Sequence, residues 1–333
     1  MKTRKDGYTL GCQALIAACV PEAADGLGRL DANETAFLQR ELEQVRSKVF
    51  EVEYPDNLAL QFVPIATDIE PTADVFVMKI KDHAGRARII NADAQDLPLV
   101  ETSVSEKYGK VYTLGVAFQF TIFELRRAAR LGIPLEADKA KAARDAIELS
   151  IDDLLATGQS TLTGQTGYDM TGFINHSEVD SNPGVMHDWI DSNCTADQML
   201  DDLNVIAAAP ALRTLQIHKP NRMIMAPELY ARLNSKRVDD TSTTVLKFFL
   251  QNNPFITGID QWNRLTGAGG SSKHRVIAYK QDQDCVEAIL PIRFEVLPPQ
   301  QRGMLTKYDC IARCGGTRVN RPQSMQYADI AIS

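Results

Sequence analysis

Residues 112–158 read YTLGVAFQFTIFELRRAARLGIPLEADKAKAARDAIELSIDDLLATG. Two periods meet in this stretch. Tyr112, Leu114, Val116, Phe118 and Phe120 fall on one face, and Thr113, Gly115, Ala117, Gln119 and Thr121 on the other, which is the alternation of a half-buried strand. Thr121 and Glu124 then have capping-box spacing and open a helix that Gly132 closes. Pro134 suits the first turn of a second helix, in which Ala140, Ala143, Ile147, Ile151 and Leu154 make a continuous apolar stripe. Glu136, Lys139, Asp145, Glu148 and Asp152 are expected to face away, and Gly158 ends the helix after about 23 residues, roughly 35 Å. A helix of that length serves as a spine for whatever the strand packs on.

Upstream of the strand the chain is extended. In Val75 to Lys81, Phe76, Met78 and Ile80 alternate with Val77, Lys79 and Lys81, and Asp82-His83-Ala84-Gly85 predicts a turn before Arg86 to Ile90. A two-stranded ribbon with apolar side chains is marginal alone and needs a partner surface. Phe76, Met78, Lys79, Ile80, Lys81, Gly85, Arg86 and Arg88 are therefore the candidate contacts with such a surface. Further back, Phe37, Leu38, Leu42, Val45 and Val49 predict an amphipathic helix over residues 34–51, capped by Asn33 and ended by Pro55. The start of the chain admits two readings. Lys2, Arg4 and Lys5 precede the apolar run Leu10 to Val20, and Ile16-Ala17-Ala18-Cys19 resembles a lipoprotein cleavage site; but Asp6, Gly11, Cys12 and Gln13 break the pattern of an export signal. An arm that packs on a neighbour or is partly disordered is the expectation.

Downstream, Gly158 to Gly172 is glycine-rich and Asn175 to Ser192 is a polar loop. Thr195-Ala196-Asp197-Gln198 caps a helix that Pro210 is expected to terminate. Short elements follow: strands at Met223–Ala226, Arg275–Tyr279 and Val286–Leu290, and helices after Pro227 and near Val245–Gln251, which together read as a compact α/β lobe. Residues 291–333 are again extended and are expected to return to the first lobe.

Composition narrows the function. The chain has 333 residues, 36 Lys+Arg against 43 Asp+Glu and a net charge of -7, so a strong non-specific grip on phosphate backbones is not its main task. No stretch approaches the roughly 20 apolar residues of a membrane span, and no membrane partner is expected. The six cysteines read as reduced thiols, Cys310 and Cys314 included, since no second pair or nearby His completes a zinc site. The acid-rich stretch 134–206 reads as a solvated or subunit-facing surface rather than a catalytic carboxylate pair. Gly267 to Ser272 lacks the Lys of a phosphate loop, no Gly-x-Ser-x-Gly or His-Glu-x-x-His is present, and His83, His176, His187, His218 and His274 are scattered. No cofactor, no metal and no catalysis are expected.

The order of elements resembles the major capsid proteins of tailed bacteriophages, which share the Hong Kong 97 fold, and within them a branch catalogued as a domain of unknown function. The likeness runs from about Asn33 to Ile330. It rests on Phe37-Leu38, the extended hairpin from Lys79 to Ile90, and Phe123-Glu124-Leu125 through Gly132-Ile133-Pro134-Leu135 into the spine. Gly172-Phe173-Ile174-Asn175, Pro298-Pro299-Gln300-Gln301-Arg302-Gly303, Gly315-Gly316, Arg321-Pro322 and Tyr327 complete it. The resemblance implies an α+β fold with an N-terminal arm and its amphipathic helix (residues 1–60), an extended β-loop (61–115), a peripheral domain with the spine helix (116–190), an axial α/β domain (191–290) and returning strands of the peripheral domain (291–333).

It further implies self-assembly into the pentamers and hexamers of an icosahedral capsid enclosing phage DNA, which the acidic chain would contact weakly and non-specifically. Portal protein and scaffold or decoration proteins would be further partners, in a virion capsid assembled in the host bacterial cytoplasm. An encapsulin-type nanocompartment shell has the same fold and is the alternative; a soluble oligomeric enzyme is the alternative from another class. Some capsids of this fold are cross-linked between a loop Lys and a neighbour's Asn. Lys79, Lys81, Lys107, Lys110 and Asn320 are available here, but no motif supplies the buried carboxylate that takes up the Lys proton, so a non-covalent shell is expected.

Overall fold

The computed structural model describes residues 57–86, 99–131, 135–159, 170, 172–184, 186–239 and 241–331. The arm helix expected over 34–51 lies outside these residues. The strand-helix-helix stretch forms β3 (Tyr112–Thr121), α2 (Ile122–Leu131) and the spine α3 (Leu135–Thr157). Thr121 and Glu124 make the capping box: Glu124 N donates to Thr121 Oγ1 and Thr121 N to Glu124 Oε2, each at 3.1 Å. Ala143, Ile147, Ile151, Leu154 and Leu155 of the spine are buried. Asp152, expected to face away, is buried as well. It faces the arm root α1 (Ala59–Phe62), accepting from Ala59 N at 2.9 Å and from Arg264 Nε at 2.6 Å, so two donors compensate its desolvation.

The last carbonyls of a helix need partners, and residues 172–175 supply them. Phe173 N donates to Leu155 O and Ile174 N to Ala156 O, both at 2.9 Å, while Asn175 Nδ2 donates to Thr157 O at 2.8 Å. Asn175 Oδ1 in turn accepts from Gly172 N at 2.9 Å. A Cβ on Gly172 would lie 2.2 Å from Ala156 O, which explains a glycine at this approach.

The spine packs on a four-stranded sheet. In it β3 pairs along its whole length with β10 (Leu305–Cys314), which also pairs with β8 (Ile292–Val296) and β9 (Gln300–Arg302). Phe120 is fully buried in this layer, and Phe118 stacks on Tyr308 at 5.0 Å. β7 (Val286–Ile289) pairs with β11 (Gly316–Val319). The second four-stranded sheet has the order β12 (Met325–Ile330), β6 (His274–Tyr279), β4 (Arg222–Met225), β5 (Gly258–Gln261), with β4 and β5 parallel. Every residue of β6 is buried, and the helices α4 (Ala196–Arg213), α5 (Pro227–Ser235) and α6 (Val245–Asn252) belong to the same lobe.

Two expectations need correction here. Pro210 does not end its helix: α4 continues to Arg213, because a missing N–H removes one hydrogen bond without preventing one more turn. And the tail is shared between lobes. β10 pairs with β3, and β8 and β9 with β10, but β12 pairs with β6 in the second four-stranded sheet, where the buried Tyr327 donates to Phe173 O at 2.5 Å. The whole of 291–333 is therefore not one set of peripheral strands.

Candidate assembly surface

The ribbon consists of β1 (Val75–Ala84) and β2 (Glu101–Lys110), antiparallel from Val75↔Lys110 to Ala84↔Glu101. The turn expected at Asp82 to Gly85 is not there. Asp82, His83 and Ala84 continue the ladder opposite Ser103, Thr102 and Glu101, and His83 Nδ1 lies 3.2 Å from Thr102 Oγ1. Ten paired residues on each strand outweigh the turn tendency of a single Asp-His-Ala-Gly run.

Register sorts the side chains into two faces. On one, Phe76, Met78 and Ile80 stand opposite Gly109, Lys107 and Ser105. The ring of Phe76 lies where a Cβ of Gly109 would be, 2.1 Å from its nearest ring atom, so the glycine makes room for the aromatic. Phe76 and Met78 are half-buried and Ile80 is exposed. On the other face Val75, Val77 and Lys79 stand opposite Lys110, Tyr108 and Glu106, and Val75, Val77, Val104 and Tyr108 are all exposed. Lys79 Nζ reaches Glu106 at 3.9 Å. Lys81, Gly85 and Arg86 are exposed near the distal end, where Gly85 lies against Val100; Arg88 lies outside the described residues.

Two polar clamps hold the ribbon to the body. Lys107 Nζ donates to both carboxylate oxygens of Glu178 at 2.9 Å, and this bond holds the Glu178 carboxyl below its ordinary value. At the root, Arg313 of β10 donates to Pro71 O at 2.6 Å, to Ala73 O at 3.0 Å and to the Asp74 carboxylate. Neither Glu178 nor Arg313 was marked by sequence pattern, because each acts across 71 residues or more of chain. The exposed Val77–Tyr108 face was legible only in part: its alternation is visible in β1, but its partner strand has none.

Among the described residues no group of His, Cys, Asp and Glu could hold a metal. Cys194, Cys285, Cys310 and Cys314 are buried free thiols, and burial pushes each thiol pKa up, that of Cys314 to about 11. His187 and Trp189 Nε1 both bond the buried Asp202, at 3.0 and 2.8 Å, which locks the loop before α4. Asn320 has a carboxylate beside it after all: its Nδ2 donates to Glu287 Oε1 at 3.0 Å, and burial raises the Glu287 pKa.

Residues 85–330 match the family model described as "Major capsid protein". No curated protein matches the chain in sequence. Among solved structures the chain is similar to the capsid of Myoviridae phage XM1, with 19% identity, a TM-score of 0.74, and 91% of this chain and 99% of that one covered. It is also similar to a structure from Mycobacterium phage Bobi, with 11% identity, a TM-score of 0.61, and 92% and 100% covered. The capsid of a native GTA particle matches with 11% identity, a TM-score of 0.61, and 91% and 100% covered.

Proposed function

The chain belongs to the major capsid protein family, and from that premise we propose that its copies close into an icosahedral shell of pentamers and hexamers around phage DNA. The observation that carries this reading is the ribbon, a two-stranded element ten residues long whose face of Val75, Val77, Val104 and Tyr108 is left open to solvent. Such a ribbon gains little stability alone, and a neighbouring subunit is the surface that would cover it. Phe76, Met78, Lys79, Ile80, Lys81, Gly85, Arg86 and Arg88 remain the contact candidates, joined by this second face. Individually modest contacts repeated over many copies hold a closed shell.

In this reading the protein is not an enzyme, and its partners are itself, a portal, a scaffold or decoration protein, and packaged DNA held weakly by a chain of net charge -7. Its place is the virion capsid, assembled in the host bacterial cytoplasm. The encapsulin alternative draws no support from the family match. Light scattering of the expressed chain, with scaffold supplied where needed, tests the reading: megadalton particles are expected, and monomers or dimers alone would overturn it.

A further inference from the structure

Helix α4 ends in a corner that presents apolar side chains to solvent. Thr214 closes the helix, its Oγ1 donating to Pro210 O at 2.7 Å and accepting from His218 N at 3.0 Å. Leu215 and Gln216 then both adopt left-handed backbone, with φ of 51° and 65°, a region that side chains with a Cβ disfavour. Gln216 N bonds back to Ala211 O at 2.6 Å. Leu212, Leu215 and Ile217 are consequently 74%, 88% and 74% exposed. Single exposed hydrophobics are ordinary; three within six residues, with Leu215 itself on left-handed backbone, point to something that covers them.

A complementary surface lies toward the other end of the same helix. Between α4 and α6 lies a cleft of about 390 Å³ with Leu200, Phe248 and Phe249 at its floor and a polar rim of Asn204, Asn252, Asn253 and the exposed Asp197 and Asp201. Twelve residues of helix separate Leu200 from Leu212, roughly 18 Å of rise, so corner and cleft of one chain do not meet. Their charges are opposite: Lys219, exposed with its Nζ 5.7 Å from the centre of the Phe255 ring, follows the corner, whereas Asp197 and Asp201 edge the cleft.

We propose that the Leu212–Ile217 corner seats in the α4–α6 cleft of a second copy of this chain, with Lys219 directed to the partner's Asp197 and Asp201. The contact is head-to-tail, joining two different patches, and closes into a ring when the rotation between copies allows. It rests on the shell reading above and specifies which surfaces the axial lobe uses.

Two variants of the full chain test it. Leu212→Ser with Leu215→Ser and Ile217→Ser should leave circular dichroism and melting temperature unchanged, because these side chains touch solvent, yet lower particle yield at least about tenfold. In a background of Cys12→Ser and Cys19→Ser, Leu215→Cys combined with Asn204→Cys or with Asn252→Cys should give disulfide-linked multimers on oxidation of assembled protein. The proposal is overturned by a serine variant that assembles at the unmodified yield, or by the absence of inter-chain disulfides from both cysteine pairs in particles. If the unmodified chain forms no particles, the shell reading falls, and this contact with it.

Discussion

Ile151 and Asp152 are adjacent on the spine helix and both buried, for opposite reasons. Ile151 fills an apolar core, whereas Asp152 is drawn in by Ala59 N and Arg264. Ile151→Asp places a carboxylate where no donor waits, at a cost of about 3–5 kcal/mol. Insoluble or unassembled protein, or a large fall in the denaturant midpoint, is the expected outcome; a variant that assembles normally would remove this residue from the core. Ile151 was legible from its 3.6-residue period. Asp152 was not, since its partners are 93 and 112 residues away in sequence and periodicity only sorts residues by type. Lys107 depresses the Glu178 pKa, so the clamp contributes stability above the ordinary carboxylate value and loses it as pH falls through the lowered one. Glu178 is 48% exposed, so solvent limits the contribution to about 1 kcal/mol or less. Hydrogen exchange, corrected for intrinsic rates, should show ribbon amides losing protection on acidification below about pH 4.5. Lys107→Ala should abolish that dependence, and a pH response unchanged by this variant would assign it to another group.

At the scale of elements, the ribbon separates folding from assembly. Lys79 and Glu106 face each other across the ladder, so replacing residues 80–105 with Asn-Gly should close the shortened ribbon with a two-residue turn. The root clamp of Arg313 and the Lys107–Glu178 pair are left in place. Melting temperature should be nearly unchanged while particle formation is lost; particles at unchanged yield would show that the distal ribbon makes no contact between subunits. Sequence alone showed the strand, capping box and spine of residues 112–158 because each is a local pattern of period or spacing. It misplaced the ribbon turn, since Asp82-His83-Ala84-Gly85 has turn composition and only the pairing partner, Glu101 to Ser103, reveals a continuing strand. The destination of β12 was hidden for the same reason: alternation says that Met325–Ile330 is a strand but does not name β6 as its neighbour. Pro210 misled because it reports one lost hydrogen bond and not where the helix ends.

The subunit's described residues form a core, two polar clamps and open apolar surfaces. Asn320 has the half-buried Glu287 carboxylate beside it, its pKa raised by burial, so the expected non-covalent shell needs a direct test. Lys79 and Lys107 are engaged by Glu106 and Glu178 within the chain. Mature particles boiled in reducing denaturant should therefore run as one band near 36.9 kDa, or slightly lower if the arm is trimmed. A ladder of multimers would instead assign Asn320 and Glu287 to a cross-linking site. Electron microscopy of the assembled protein tests shell closure itself. Closed icosahedral shells of pentamers and hexamers, with each ribbon lying on the adjacent subunit, are predicted; a discrete small oligomer with its ribbons open to solvent, formed with scaffold present, would rule out a shell subunit.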